Sequence, residues 1–177
     1  MIDRIDALKG SGLSTTEFEI EINDAMRLSN ALHARIKTAI RLAAGERRCH
    51  RGQMGVAIVD DQSIHEINQR HLGHDYPTDV ISFGYTLQPP LVEGEMVVSL
   101  ETARKQADQL GWSVESELLL YIVHGALHIC GMDDLQQEQR LAMRHTELRV
   151  MSQLGINEFV RYHPDYQATT LDEEDRH

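Results

Sequence analysis

The chain has 177 residues, 41% hydrophobic and 25% charged, the length and mixture of one globular domain with a sizeable core. Its 28 acidic residues against 17 Lys and Arg give a formal charge of −11, which excludes binding to nucleic acid through a broad basic coat, because phosphates need clustered cations. A nucleic-acid role must therefore rest on a local patch. The expected organisation is a single domain over residues 1–162 and a disordered acidic tail over 163–177, where Asp172-Glu173-Glu174-Asp175 follows Pro164. Residues 164–177 carry five acids and one Arg, which leaves −7 on the rest.

Cys49 and Cys130 lie 81 residues apart, so they form neither a disulfide framework nor a metal-binding Cys pair, and a reducing cytoplasm fits them. The first ten residues carry two acids and no apolar run, unlike a signal peptide. The longest uncharged stretch, Leu118 to Met132, is 15 residues with two His, short of the roughly 20 apolar residues that span a bilayer. The expectation is a cytoplasmic protein with no membrane segment.

In chain order, Phe18 to Ile22 alternates apolar and charged residues as a half-solvated strand does. Asn23 or Asp24 is the expected cap of a helix whose stripe runs through Leu28, Leu32, Ile36 and Ile40 and ends near Gly45. Gly52 to Asp60, with Val56-Ala57-Ile58-Val59, reads as a buried strand, and Ser63 to His71 as a helix. Asp79 to Phe83 and Glu95 to Ser99 are strand-like, and the Gly84, Pro89-Pro90 and Gly94 between them suggest a long-looped hairpin or a crossing over a cleft. Three helices follow: 100–110 stopped by Gly111, Ser113 to Cys130, and Gln136 to Leu154 with Leu141, Leu148 and Met151 inward.

His124-Gly125-Ala126-Leu127-His128 places two imidazoles four residues apart, so they leave one helix face from neighbouring turns. Gly131 can end that helix in the left-handed conformation, and the chain can fold back to bring Asp134 to the same point. Two imidazoles and a carboxylate leave a fourth tetrahedral position open, the pattern of a catalytic zinc site, where the ion acidifies water or acts as a Lewis acid. The competing reading is a core helix whose two His merely share a face. Cys130 falls about 200° round the helix from His128 and reads as a buried hydrophobe, and His145 is on the next helix. A zinc protease would place Glu beside the first His; Gly125 stands there instead.

The segment H-G-A-L-H-I-C-G-M-D-D at 124–134 resembles the signature H-G-x-L-H-x-x-G-y-D-H of the YbeY family of bacterial rRNA-maturation endoribonucleases. Ile67-Asn68 with the block from Gly73 to Phe83 is similar to that family's L-N-x-x-y-R-x-k-d-x-P-T-D-V-L-S-F, and Gly94 to Ser99 to its G-D-I-x-I-S strand. The blocks cover about residues 50–155. The resemblance implies an α+β fold, a small mixed sheet of about four strands packed with five or six helices. It also implies a zinc ion between a helix and the following loop, and activity on single-stranded RNA in ribosome maturation and quality control, including 16S rRNA 3′ end processing, with the ribosome or small-subunit proteins as partners.

Residue by residue, His124 and His128 match two of the family's three histidine ligands. Asp134 stands at the third as a competent oxygen ligand, with Asp133 as fallback. The family's RNA-binding arginine is replaced by Leu72, so Arg70 and His74 are the candidate catalytic cations or donors; the alternative for His74 and Asp75 is a turn before Pro77. Arg41, Arg47, Arg48 and Arg51 cluster between the first long helix and the next strand. They are either cations at a helix C-terminus or the local patch that an acidic RNA-binding body needs. Tyr76, Phe83 or Tyr85 could stack on bases, although Phe83 also reads as core. Other readings are a metal-dependent hydrolase of another substrate and a ribosome-associated protein whose metal only staples helix to loop.

Overall fold

A computed structural model of the chain describes residues 17–157; the expected acidic tail over 163–177 lies outside the described residues, as do 1–16 and 158–162 of the expected domain. Strand β1 (Phe18–Asp24) leads to helix α1 (Asn30–Glu46), then β2 (Arg51–Val59), α2 (Asp61–Leu72), β3 (Val80–Gln88), β4 (Leu91–Ser99), α3 (Leu100–Leu110), α4 (Val114–Ile129) and α5 (Gln137–Gln153). The four strands form one sheet in the order β1-β2-β4-β3. β1, β2 and β4 are parallel neighbours and β3 runs antiparallel to β4, which is the mixed sheet of the expected α+β fold. Five helices are found among the described residues.

The strand period of two divides the sheet's apolar residues between its faces. Met54, Val56 and Ile58 of β2, with Val92, Met96 and Val98 of β4, join the main core with α1 and α4. Ile81 and Val97 join a smaller cluster with Ile64 and Ile67 of α2 on the opposite face. α4 is the central element: Leu118, Leu119, Leu120, Ile122 and Leu127 are fully buried. Each such side chain contributes about 1.5–3 kcal/mol by leaving water. That is why the sequence from 118 to 123 is apolar on every side of the helix instead of along one stripe.

Three expectations are corrected. The cap of α1 is Ser29, whose hydroxyl accepts from Leu32 N at 3.2 Å, not Asn23 or Asp24. Those two lie in β1, and the Asp24 carboxylate instead accepts from Met26 N at 2.8 Å and from Leu28 N, closing a turn that passes through Arg27 at φ 59°. The strands β3 and β4 extend much further than their apolar runs, pairing Gln88 with Leu91 across Pro89-Pro90, so the hairpin turn is tight. Glycines at 84 and 94 are ladder partners rather than loop residues. On α5 the buried residues are Met143, Thr146, Glu147, Val150 and Met151; Leu141 and Leu148 are only half-buried.

Candidate metal centre

The C-terminal half of α4 lies directly on the sheet because Gly125 has no side chain. A Cβ there would sit 3.0 Å from Ser82 Oγ, 3.0 Å from Val80 Cγ2 and 3.2 Å from Met96 Sδ, and Ser82 Oγ donates to the Gly125 carbonyl at 3.2 Å. This seating fixes His124 and His128 on one face. Gly131, at φ 83°, then reverses the chain in the left-handed region that costs other residues most. The Met132 amide closes the turn on Leu127 O at 2.9 Å. Arg140 Nη1 donates to the carbonyls of Leu135 at 2.8 Å and Asp134 at 3.2 Å, fixing the returning loop to α5.

His124, His128 and Asp134 converge, with one ligand atom from each within 4.8 Å of the others. His124 Nε2 and His128 Nε2 are 3.0 Å apart. Asp134 places Oδ2 3.7 Å from His124 Nε2 and Oδ1 3.8 Å from His128 Nε2. A tetrahedral zinc ion with bonds near 2.0–2.1 Å sets its ligand atoms about 3.3 Å apart, and the three separations bracket that value.

The outer nitrogens show which atoms face inward. His128 Nδ1 lies 3.0 Å from the Met132 carbonyl, which can only accept, so Nδ1 carries the proton and Nε2 offers its lone pair. His124 Nδ1 lies 2.7 Å from Oε1 of Glu147. Glu147 is fully buried and also accepts from Arg144 Nη1 at 3.0 and 2.8 Å, so it is held as a carboxylate and His124 Nδ1 is the donor. Burial works against charge on His124, but the hydrogen bond and charge of Glu147 outweigh it and its pKa rises. Burial and then the His124 charge lower the pKa of His128. With both Nδ1 atoms engaged outward, the two Nε2 atoms and the Asp134 carboxylate are the donors that would hold a cation, and its binding would release any proton shared between the two rings. The residues present therefore fit a divalent metal with two imidazoles and one carboxylate.

The other sequence candidates fall as follows. Asp133 is exposed, and its Oδ1 accepts from Asp134 N at 2.8 Å and Leu135 N at 3.4 Å, so it shapes the loop and is not in the cluster. Cys130 is buried and outside the cluster, and His145 is exposed on α5. Arg70, Leu72 and His74 are exposed at the end of α2 and in the turn beyond it. His74 stacks on Tyr76 at 5.4 Å, 9° from parallel, while Asp75 is held by His65 at 2.8 Å and Gln69 at 3.2 Å. Among the described residues, no hydrogen bond or ion pair joins Arg70 or His74 to the metal cluster. Tyr76 and Tyr85 are exposed, whereas Phe83 packs with the α2 cluster.

Glu147 and Arg144 were not singled out from the sequence. The available signal was an acid one turn after Met143 and one turn before Met151, where the helix period demands an apolar residue. No helix among the described residues is long and apolar enough to cross a membrane.

Comparison with known proteins gives one family. The family model described as endoribonuclease YbeY matches residues 17–155. A Rhodopirellula baltica protein named endoribonuclease YbeY is 54% identical over 116 residues, 64% of this chain and 60% of that protein, so the match spans less than two thirds of that relative. One of the same name from Desulfitobacterium hafniense is 35% identical over 150 residues, covering 79% of this chain and 94% of that one. The solution structure of a Thermotoga maritima protein has a similar fold, with a TM-score of 0.55 at 24% identity over 78% of this chain and 93% of that one.

Proposed function

The chain belongs to the endoribonuclease YbeY family, and from that premise we propose that it is a metal-dependent endoribonuclease. Its substrate is single-stranded RNA, in rRNA maturation at the 16S 3′ end and in ribosome quality control, in the cytoplasm and in contact with the ribosome or its small-subunit proteins. The observation that carries the reading is the convergence of His124, His128 and Asp134 on one point with both Nδ1 atoms already engaged. We assign zinc as the metal on the donor set, two nitrogens and one oxygen. When bound, the ion polarises a phosphate oxygen and acidifies water in the cleft.

The chain's own residues do the rest. His124 and His128 present their Nε2 atoms from a helix that cannot shift on the sheet, because Gly125 seats it there. Glu147 holds the His124 ring in one orientation through Nδ1, as carboxylates behind metal-bound imidazoles do. Asp134 supplies negative charge that offsets the cation. Arg70 and His74, on either side of Leu72, supply positive charge or a hydrogen bond to the phosphate whose charge grows during cleavage.

The test is cleavage of single-stranded RNA, with peptide substrates beside it, by the full chain before and after chelation. RNA cleavage that chelation abolishes and zinc restores is the expected result. Peptide cleavage alone, or RNA cleavage indifferent to chelator, overturns the reading. Arg70→Ala and His74→Ala are each expected to lower kcat/KM by roughly tenfold or more; if both leave it unchanged, neither replaces the family's arginine.

A further inference from the structure

The arginines at 41, 47, 48 and 51 fall within eleven residues of a chain that is otherwise strongly acidic. The turn from α1 to β2, which carries Arg47 and Arg48, is tied to the metal centre in two ways. Arg47, which caps α1, donates from Nε to the Cys130 carbonyl at 3.3 Å, two residues beyond His128. The tip of the β3–β4 hairpin bridges the same two places. Leu87 lies where a Cβ on Gly131 would meet it at 2.6 Å, and Pro90 O accepts from His50 N at 3.0 Å and Arg51 N at 3.1 Å.

Cations at a helix C-terminus explain Arg47. They do not explain Arg41, which lies more than a turn back and lines an open hollow of about 360 Å³ with Glu17, Phe18, Cys49 and His50. That volume is at the small end of ligand sites, room for one nucleotide. Phe18 is half-buried against the core where it lines the hollow, and Arg41, Arg48 and His50 are exposed. The one acid within the arginine segment, Glu46, is engaged with Arg149 at 2.8 Å. No ion pair joins Arg41 or Arg48 to a carboxylate among the described residues.

We propose that the basic turn between α1 and β2 is a second contact for single-stranded RNA, holding phosphates of the strand as it leaves the metal centre. This rests on the reading of that centre as an RNA-cleaving site. The phosphates sit on Arg41, Arg48 and His50, and a base packs on Phe18 in the hollow. Glu17, the single carboxylate in the lining, works against a phosphate there. Short RNA reaches only the metal centre, and longer RNA reaches both.

The test is anisotropy of 5′-labelled single-stranded RNA of 4 and of 12 nucleotides with the metal-loaded full chain, read at 4 °C before cleavage develops. The double variant R41Q/R48Q is expected to bind the 12-mer at least fivefold more weakly at 0.1 M salt. Its slope of log affinity against log salt should fall by about 1.4, two phosphate contacts on a single strand. Its affinity for the 4-mer and its metal content should stay within twofold. E17Q, which removes a repelling charge without changing shape, is expected to tighten the 12-mer about twofold.

Unchanged 12-mer affinity and slope in R41Q/R48Q, equal loss for both lengths, or no tightening in E17Q overturns the proposal. If the 4-mer is still cleaved in those cases, the reading of the metal centre stands and only the second contact falls. If the unaltered chain neither binds nor cleaves either RNA, both fall.

Discussion

The chemistry of the centre depends on which nitrogen of each imidazole is free, and that is decided by groups outside the trio. The Met132 carbonyl and the Glu147 carboxylate each occupy an Nδ1, leaving two lone pairs and a carboxylate with nothing but a proton or a cation to satisfy them. Glu147→Gln keeps the side chain's shape and removes the charge shared by His124 and Arg144. Zinc affinity, measured by competition with a chromogenic chelator, is expected to fall about 10–100-fold; an unchanged affinity would show that Glu147 does not orient the ring. Asp134 was legible in the sequence because the spacing of His124, His128 and Gly131 is local and each step follows from helix geometry. Glu147 was not, because the acid that interrupts the stripe of Met143 and Met151 gains its meaning only from which turn of α5 faces α4, and that depends on how the two helices pack.

At the level of elements, α4 does two tasks at once: it fills the core with its leucines and aims two ligands out of it. Gly125→Ala probes the seating, since the added Cβ meets Ser82, Val80 and Met96 at 3.0–3.2 Å. It is expected to cost about 1–3 kcal/mol in denaturant unfolding, with weakened metal binding, whereas an Ala tolerated within error would mean that α4 is free to lift. The corner where β4 turns into α3 carries the clearest pH dependence. Burial works to raise the Asp61 carboxyl, but Lys105 and the Ser99 and Thr102 hydroxyls outweigh it and bring its pKa down to about 2. A carboxyl lowered from 3.8 stabilises the fold above that pH and loses the contribution as pH falls through about 2. Lys105 is largely exposed, and screening limits the effect to about 1–2 kcal/mol. The unfolding free energy of the unaltered chain minus that of Asp61→Asn should therefore be largest near pH 6 and have dropped by roughly half at pH 3. A difference that does not change with pH would contradict the assignment.

Each of the nine elements among the described residues was legible in the sequence, from alternation in β1, an apolar stripe in α1, short apolar runs in β2, β3 and β4 and stop glycines such as Gly111. It placed their ends less well. Ser29 was passed over as a cap because Leu28, just before it, already fits the apolar stripe of α1. The outer halves of β3 and β4 read as loop because Gly84, Pro89-Pro90 and Gly94 interrupt the apolar runs; the outer half of β3 is largely exposed while Val92 and Gly94 of β4 are buried, and backbone pairing between the two strands holds them.

Across the whole molecule, the charge of −11 and a role in cleaving RNA are compatible because the chemistry is confined. A metal ion held by His124, His128 and Asp134 would supply positive charge at one point, so that RNA needs only that point and a small basic patch, and the rest of the acidic body repels it. Such an ion would link α4 to the loop that carries Asp134, while Glu147 of α5 braces His124, so its removal should loosen the fold as well as silence it. The account is tested most directly by the metal content of the purified chain beside that of His124→Ala/His128→Ala, by elemental analysis. It predicts about one equivalent of divalent metal per chain in the first and none above background in the double variant. An undiminished metal content in the double variant would contradict it.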